Sequence, residues 1–155
     1  MQISAQMVIN CVHDAQKNPE KLVFVVGKPG SGKSKVLRAL ADMRGWEYME
    51  CNELVTEELL ELVPRVRCQE APRIMDSVLA RNITEVFLLD GMQILFMPLL
   101  KLDPLSLFRQ LSRKYTIVAA WPGTYEDGKL IFEHNSGSET VKQEFSAEGV
   151  TVLQL

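Results

Sequence analysis

The chain alternates short, continuously apolar runs with longer segments in which apolar residues recur every three or four positions. The first pattern is typical of strands buried on both faces of a sheet, and the second is typical of amphipathic helices. Strands are therefore predicted over residues 22–26, 86–90, 116–121, 130–133 and 150–155. A further strand is predicted over residues 46–50, where large apolar and polar residues alternate. Helices are predicted over residues 1–17, 35–43, 56–63, 72–81, 103–114 and 138–145. This alternation predicts an α/β fold, a three-layer sandwich around a mostly parallel five-stranded sheet, as a single domain over residues 1–155.

Glycine and proline residues mark several of the predicted boundaries. Gly45 is expected to end the helix that begins near residue 35, because glycine adopts the left-handed conformation found after helices. Pro64 is expected to end one helix, and Pro72 is placed at the first position of the next. Asp103-Pro104 has the composition of a helix start. A loop is predicted at residues 51–53 and a turn at residues 125–129.

The segment Gly27-Lys28-Pro29-Gly30-Ser31-Gly32-Lys33-Ser34, here called the glycine-rich loop, lies between a predicted strand and a predicted helix. It fits the pattern G-x-x-x-x-G-K-[ST], in which backbone N–H groups surround phosphate oxygens at a helix N-terminus. Lys33 would reach the outer phosphates and Ser34 would coordinate Mg²⁺. A glycine-rich turn without a ligand is the alternative. The predicted nucleotide-binding residues are Gly27, Lys28, Pro29, Gly30, Ser31, Gly32, Lys33, Ser34 and Lys35.

Asp90 ends a predicted apolar strand, which is where a phosphate-binding loop requires an acidic partner on its Mg²⁺ side. Ser34 and Asp90 are therefore the predicted metal ligands, and Lys33, Asp90 and Glu53 are the predicted catalytic residues. Many ATPases carry glutamate directly after this aspartate, whereas this chain has Gly91. A substitute carboxylate is expected from the neighbouring strand's exit, as Glu53 in preference to Glu50. A solvated surface carboxylate is the alternative for both.

Three further features leave alternatives open. Trp121 stands at the end of a predicted strand, where related folds often carry a polar group that senses the terminal phosphate, and it is expected either to stack there or to pack. Arg109 and Arg113 share one helix face and belong either to a solvated surface or to a site in a neighbouring subunit. The apolar run 94–100 is either core or a subunit interface.

Composition limits the classes of function. Hydrophobic residues form 46% and charged residues 24% of the 155 residues, and the formal net charge is −3. These values are ordinary for a globular protein and give no overall electrostatic reason to expect DNA, although a local basic patch would allow it. The three cysteines lack C-x-x-C spacing and are predicted to be reduced thiols. With no recognisable leader and no apolar run long enough to span a bilayer, a cytoplasmic protein without membrane contact is expected.

The glycine-rich loop together with Val86–Asp90 is similar to the motifs of P-loop NTPases, in particular those with an extra strand between the loop strand and the Mg²⁺-site strand. Within that group the chain resembles AAA-type ATPase cores without the helical lid domain. More narrowly, it resembles the BrxF family of small P-loop proteins of BREX bacteriophage-exclusion systems. That resemblance is carried by the glycine-rich loop, by Phe87–Gly91 and by Ala120–Leu130. It implies a bacterial cytoplasmic protein acting with a large ATPase and a DNA methyltransferase.

The expected function is therefore that of an ATP-binding, weakly hydrolysing subunit of such a phage-defence complex, with ATP and Mg²⁺ as cofactors and self-association as a homo-oligomer. A nucleotide or small-molecule kinase is one alternative. It is disfavoured because the region after Trp121 carries only Lys129 and Lys142 as basic residues, and kinases usually close several arginines over the phosphates. An adaptor or DNA loader that uses ATP as a switch without turnover is the other alternative.

Overall fold

The computed structural model describes residues 5–28, 30–54, 64–96, 102–136 and 138–155. Its helices are α1 Ala5–Ala15, α2 Lys33–Arg44, α3 Pro64–Ala80 and α4 Pro104–Leu111, with a 3₁₀ helix over Met92–Phe96. Its strands are β1 Leu22–Val26, β2 Glu47–Glu50, β3 Phe87–Asp90, β4 Ile117–Trp121, β5 Thr124–Glu126, β6 Lys129–Ser136, β7 Glu139–Ser146 and β8 Thr151–Gln154.

The central sheet has five strands in the order β2-β3-β4-β1-β8. Every pairing between neighbouring strands is parallel, so the predicted five-stranded, mostly parallel sheet is confirmed. Val26 lies opposite Trp121, and Glu50 lies opposite Asp90. The carboxyl ends of β1, β2, β3 and β4 therefore meet at one edge of the sheet, where ligands bind in open α/β folds.

The two faces of this sheet carry separate hydrophobic clusters, because successive side chains of a strand point to opposite faces. On one face, Val23 and Val25 pack with α1 and α2. On the other face, Phe24 packs with α3, α4 and the 3₁₀ helix. Helices thus contribute to the cores on both faces, an arrangement compatible with a three-layer sandwich.

A second, antiparallel sheet has the order β5-β6-β7 and was not predicted. The predicted helix over residues 138–145 is wrong, because residues 139–145 belong to β7, which pairs along its length with β6. The expected turn at 125–129 is shorter than predicted. It consists of Asp127 and Gly128, both with positive φ, and joins β5 to β6. Two consecutive positive φ values match the twist of a two-residue hairpin, for which Asp-Gly is a preferred sequence.

Two predictions between β2 and β3 are also corrected. Residues 51–54 are helical, where a loop over 51–53 was expected. Pro72 lies inside α3 and does not begin it; α3 begins at Pro64, which was expected to end a helix. Proline suits the first helical position because its missing N–H needs no partner there. Packing of Met75 and Leu79 into the core offsets the hydrogen bond that Pro72 removes. The helix predicted over 56–63 lies outside the described residues.

The remaining boundaries agree closely with the sequence. The N–H of Gly45 donates to the Ala41 carbonyl at 2.9 Å and ends α2. Asp103 caps α4 by accepting from the Ser106 N–H at 3.0 Å. Within the apolar run 94–100, Leu95 and Phe96 are buried, and residues 97–100 lie outside the described part of the chain. Among the described helices, none has both the length and the apolarity needed to cross a membrane.

Candidate functional site

The glycine-rich loop connects the buried strand β1 to the first turn of α2. Gly32 precedes α2 with φ of +100°, a conformation that side-chain-bearing residues rarely adopt. The Ser31 N–H donates to the Lys28 carbonyl at 3.0 Å, and the Val36 N–H donates to the Gly32 carbonyl at 3.1 Å. Because glycine offers no capping side chain, the first amides of α2 are left to an external acceptor. Pro29, predicted to bind nucleotide, lies outside the described residues.

Lys33 folds back over the loop that precedes it. Its ammonium group donates to the carbonyl of Gly27 and, at 3.3 Å, to that of Lys28. Burial lowers the pKa of Lys33, and the negative charge of Asp90 partly opposes that effect. The structure thus places the Lys33 ammonium group against the backbone of the glycine-rich loop, at the carbonyls of Gly27 and Lys28. Lys28, Ser31 and Lys35 have exposed side chains around it.

Asp90 is the centre of the site and is 7% exposed. Its Oδ2 accepts a hydrogen bond from Ser34 Oγ at 2.5 Å and another from the Tyr48 hydroxyl at 2.6 Å. Its Oδ1 accepts from the Gly91 N–H at 2.9 Å. The structure thus brings together Ser34 and Asp90, the two residues that the sequence pairs as metal ligands.

Tyr48 is a member of this cluster that sequence reasoning missed. Burial, followed by the hydrogen bond and the charge of Asp90, raises the pKa of Tyr48 to about 12, whereas Arg38 acts in the opposite direction. The guanidinium of Arg38 lies 5.4 Å from the centre of the Tyr48 ring. The alternation of side chains along a strand could have indicated it. Tyr48 and Glu50 are two residues apart, so they share one face of β2.

Glu50, and not Glu53, approaches the residue after Asp90. A Cβ atom added to Gly91 would lie 1.5 Å from Glu50 Oε1, so this carboxylate occupies the space that a side chain at position 91 would need. Burial, followed by the charges of Asp90 and Glu53, raises the pKa of Glu50. Glu53 is exposed on the helical residues 51–54. The second carboxylate beside Asp90 is therefore Glu50, the less favoured of the two sequence candidates.

Asn52 ties the segment after β2 to the segment after β3. Its N–H donates to the Gly91 carbonyl at 2.8 Å, and its side-chain oxygen accepts from the Ile94 N–H at 2.8 Å. Its side-chain amide donates to Gln93 at 3.1 Å. These bonds fix the backbone that follows Asp90. No sequence motif marks Asn52, because its role depends on which strands are neighbours.

Trp121 packs in the core and does not face the glycine-rich loop. It is fully buried, and its ring N–H donates to the Ile131 carbonyl at 3.0 Å. Phe24, Phe96 and Phe145 contact its ring edge to face. Of the two expectations for Trp121, packing is the one observed.

The two arginines of α4 differ in their surroundings. Arg109 Nη1 lies 2.9 Å from a carboxylate oxygen of Glu20, and Nη2 donates to the carbonyls of Glu148 at 2.6 Å and Ser146 at 3.3 Å. Arg113 lies 3.6 Å from Glu20 and its side chain is 69% exposed. Arg109 is thus engaged within its own chain, whereas Arg113 projects into solvent.

Within the part of the chain that the structure describes, three of the cavities border the glycine-rich loop. Two of them, of about 420 and 340 Å³, both include Lys28, Gly123, Thr124 and Glu126 in their walls, so the loop faces the β5–β6 hairpin. The third, of about 190 Å³, lies between α1 and the start of α2. Its walls are formed by Ala5, Ser31, Gly32, Lys35, Val36, Ala39 and Leu155. The loop therefore has space for a ligand on both sides.

Comparisons with protein-family models, with curated proteins and with solved structures give no match to this chain.

Proposed function

We propose that the protein is a P-loop NTPase of the lid-less AAA-like type that binds ATP and hydrolyses it weakly. The observation that carries this proposal is the 2.5 Å hydrogen bond from Ser34 Oγ to Asp90, which joins the end of the loop motif to the end of β3. These residues are far apart in the sequence and were paired by their motifs alone. The strand order supports the proposal as well, because β4 lies between β1 and β3, as the resemblance implies.

The donor set fits Mg²⁺. Hydroxyl and carboxylate oxygens are ligands that this ion prefers, and it commonly takes one or two of them from the protein, with water and phosphates as the rest. Within the described part of the chain, no group of three or more His, Cys, Asp or Glu side chains could hold a metal. The contact between Ser34 and Asp90 makes these two residues the ones that would hold the ion beside the ATP phosphates. When bound, Mg²⁺ neutralises charge on the outer phosphates.

The other residues of the loop have complementary tasks. Lys33 would exchange its contacts with the Gly27 and Lys28 carbonyls for contacts with phosphate oxygens. Hydrolysis also needs a group that orients the attacking water. We assign this role to Glu50, because its carboxylate lies against Gly91 and has a raised pKa, which suits a general base. Glu53, the sequence candidate for the role, remains the alternative.

The cellular setting of the proposal rests on the resemblance of the sequence to BrxF. On that basis we propose that the protein is bacterial and cytoplasmic and acts in a BREX complex with a large ATPase and a DNA methyltransferase. Self-association is part of the proposal, because hydrolysis usually needs an arginine at the terminal phosphate. Arg113 is better placed than Arg109 to reach the nucleotide site of a neighbouring subunit, because its side chain is exposed, whereas the hydrogen bonds of Arg109 lie within its own chain.

The test is to measure ATP binding and phosphate release for the unaltered protein, for Lys33→Ala, and for Lys17→Ala as an exposed-lysine control. We expect Mg-ATP binding and slow phosphate release, with both lost in Lys33→Ala and retained in Lys17→Ala. A specific rate that rises with protein concentration would indicate a site completed by a second copy. Binding of ATP without phosphate release at any protein concentration would favour the alternative in which ATP acts as a switch without being hydrolysed. Equal behaviour of Lys33→Ala and the unaltered protein would contradict the proposal.

A further inference from the structure

We propose that Tyr48 is a positioning residue for Asp90, whose hydroxyl group holds the Asp90 carboxylate in the orientation that presents it, with Ser34, to a divalent cation. This inference rests on the proposed function, since it concerns the same site. It adds a residue from β2 to the support of a metal site whose two predicted ligands, Ser34 and Asp90, come from α2 and β3.

The geometry of the Asp90 carboxylate carries this inference. Oδ2 accepts from hydroxyl groups of two different elements, Ser34 of α2 at 2.5 Å and Tyr48 of β2 at 2.6 Å. Oδ1 accepts from the Gly91 N–H at 2.9 Å. Two donors on Oδ2 and one on Oδ1 fix the plane of a group whose terminal torsion is otherwise broad. The carboxylate therefore enters the bound state already oriented.

The two hydroxyl groups are not equivalent. The Ser34 hydroxyl rotates freely about one bond, and its oxygen is itself a predicted metal ligand. The Tyr48 hydroxyl lies at the end of a rigid ring, and the Arg38 guanidinium lies 5.4 Å from the centre of that ring. Tyr48 can therefore keep its bond to Asp90 whether or not a cation is bound. Ser34, in contrast, must turn its lone pairs toward the metal.

Loss of this hydroxyl group should weaken metal binding selectively. A carboxylate that lacks its outer hydrogen-bond partner typically loses about 10-fold or more in metal affinity. The nucleotide's contacts with the backbone of the glycine-rich loop and with Lys33 do not involve Tyr48. Binding of metal-free ATP should therefore be unaffected.

The experiment compares Tyr48→Phe with the unaltered protein and with Tyr115→Phe. Tyr115 is a matched control, because its hydroxyl also donates to a carboxylate, Asp76, at 2.8 Å, on elements outside the loop. The dissociation constant of a fluorescent ATP analogue is measured in EDTA and then during a Mg²⁺ titration. For Tyr48→Phe we expect an unchanged value in EDTA and a Mg²⁺ midpoint raised about 10-fold. For Tyr115→Phe we expect both values of the unaltered protein.

The outcomes separate this inference from the proposed function. If the unaltered protein binds ATP with a clear Mg²⁺ dependence and Tyr48→Phe has the same Mg²⁺ midpoint, the inference is overturned and the proposed function stands. Equal weakening in EDTA and in Mg²⁺ would mean a general packing role and would also overturn it. If the unaltered protein binds no ATP under either condition, both fail. A thermal melt of each apo variant checks that Tyr48→Phe is folded.

Discussion

Glu50 reaches from β2 into the space that a side chain at position 91 would fill. The glycine at that position has φ of +57° and a carboxylate against it, so a larger residue there would be both strained and displaced. A site that carries no glutamate directly after Asp90 thus gains a carboxylate from the neighbouring strand. The negative charges of Asp90 and Glu53 raise the pKa of Glu50, and the positive charge of Arg38 lowers it.

Glu50→Gln should stabilise the free protein at neutral pH. The pKa of Glu50 is raised above its ordinary value of 4.5, so the folded state binds this proton more tightly than the unfolded chain. Folding therefore loses stability as pH rises from 4.5 through the raised pKa, and the variant avoids this loss. We expect a gain below about 1 kcal/mol at pH 7, because solvent screens a partly exposed carboxylate, and no gain below pH 4.5. Urea unfolding at both pH values measures the difference.

The same variant tests the catalytic assignment. Phosphate release by Glu50→Gln should fall about 100-fold, the lower range for loss of a general base, while ATP binding is retained. Glu53→Gln is the control, because Glu53 is exposed and should affect neither stability nor turnover by a comparable amount. The reverse result, with turnover lost only in Glu53→Gln, would contradict the assignment and restore the sequence candidate.

The residues of the site differ in how far the sequence identifies them. Lys33, Ser34 and Asp90 were predicted because each belongs to a local motif whose spacing has a chemical reason. Tyr48 and Asn52 were missed, because their partners depend on β2 lying beside β3. The preference for Glu53 over Glu50 reflects the same gap. Sequence spacing places a side chain on a face of a strand, but strand order decides what it contacts.

At the scale of elements, the central sheet was predictable because its three inner strands, β3, β4 and β1, are nearly continuous apolar runs, and the edge strand β2 alternates apolar and polar residues. The antiparallel sheet was harder to recognise. In β7, half-buried Gln143 and Phe145 alternate with exposed Lys142 and Glu144, a pattern short enough to suit either a helix or a strand. The element became a strand because β6 offers a partner for each of its backbone positions. Pairing between distant segments of this kind leaves little trace in local composition.

Arg109 has a structural task that also belongs to this scale, because it ties α4 to the segment before β1, to the last residue of β7 and to the segment after β7. Arg109→Ala removes an ion pair to Glu20 and two hydrogen bonds to carbonyl oxygens. We expect it to lower the free energy of unfolding by about 1.5–3 kcal/mol, the range for hydrogen bonds to charged groups. The measurement is the midpoint and slope of urea unfolding.

Arg113→Ala is the matched control for this prediction. Arg113 lies on the same helix and faces the same Glu20, but its side chain is 69% exposed and 3.6 Å from that carboxylate. We expect a change within about 0.5 kcal/mol. Small and equal effects of both variants would mean that Arg109 is not held in place. Arg109 would then again be a candidate for donation to a neighbouring subunit.

At the scale of the whole molecule, the proposed nucleotide site joins parts that are distant in sequence. Lys33 and Ser34 begin α2, Tyr48 and Glu50 lie on β2, and Asp90 ends β3. Their side chains meet because parallel strands bring their carboxyl ends to one edge. A ligand bound there contacts several elements at once. Its binding energy should therefore stabilise the fold as a unit, and not one helix alone.

Mg-ATP should accordingly raise the melting temperature of the protein. At about one hundred times the dissociation constant, a ligand that binds only the folded state stabilises it by roughly 2.7 kcal/mol. For a chain of this size, that corresponds to a rise of about 5–10 °C. Lys33→Ala should show no such rise at the same concentration, because it lacks the charge that would hold the phosphates, whereas Lys17→Ala should show all of it. Differential scanning fluorimetry across a series of Mg-ATP concentrations measures the three curves. Equal shifts for Lys33→Ala and the unaltered chain would mean that ATP binds somewhere other than the glycine-rich loop.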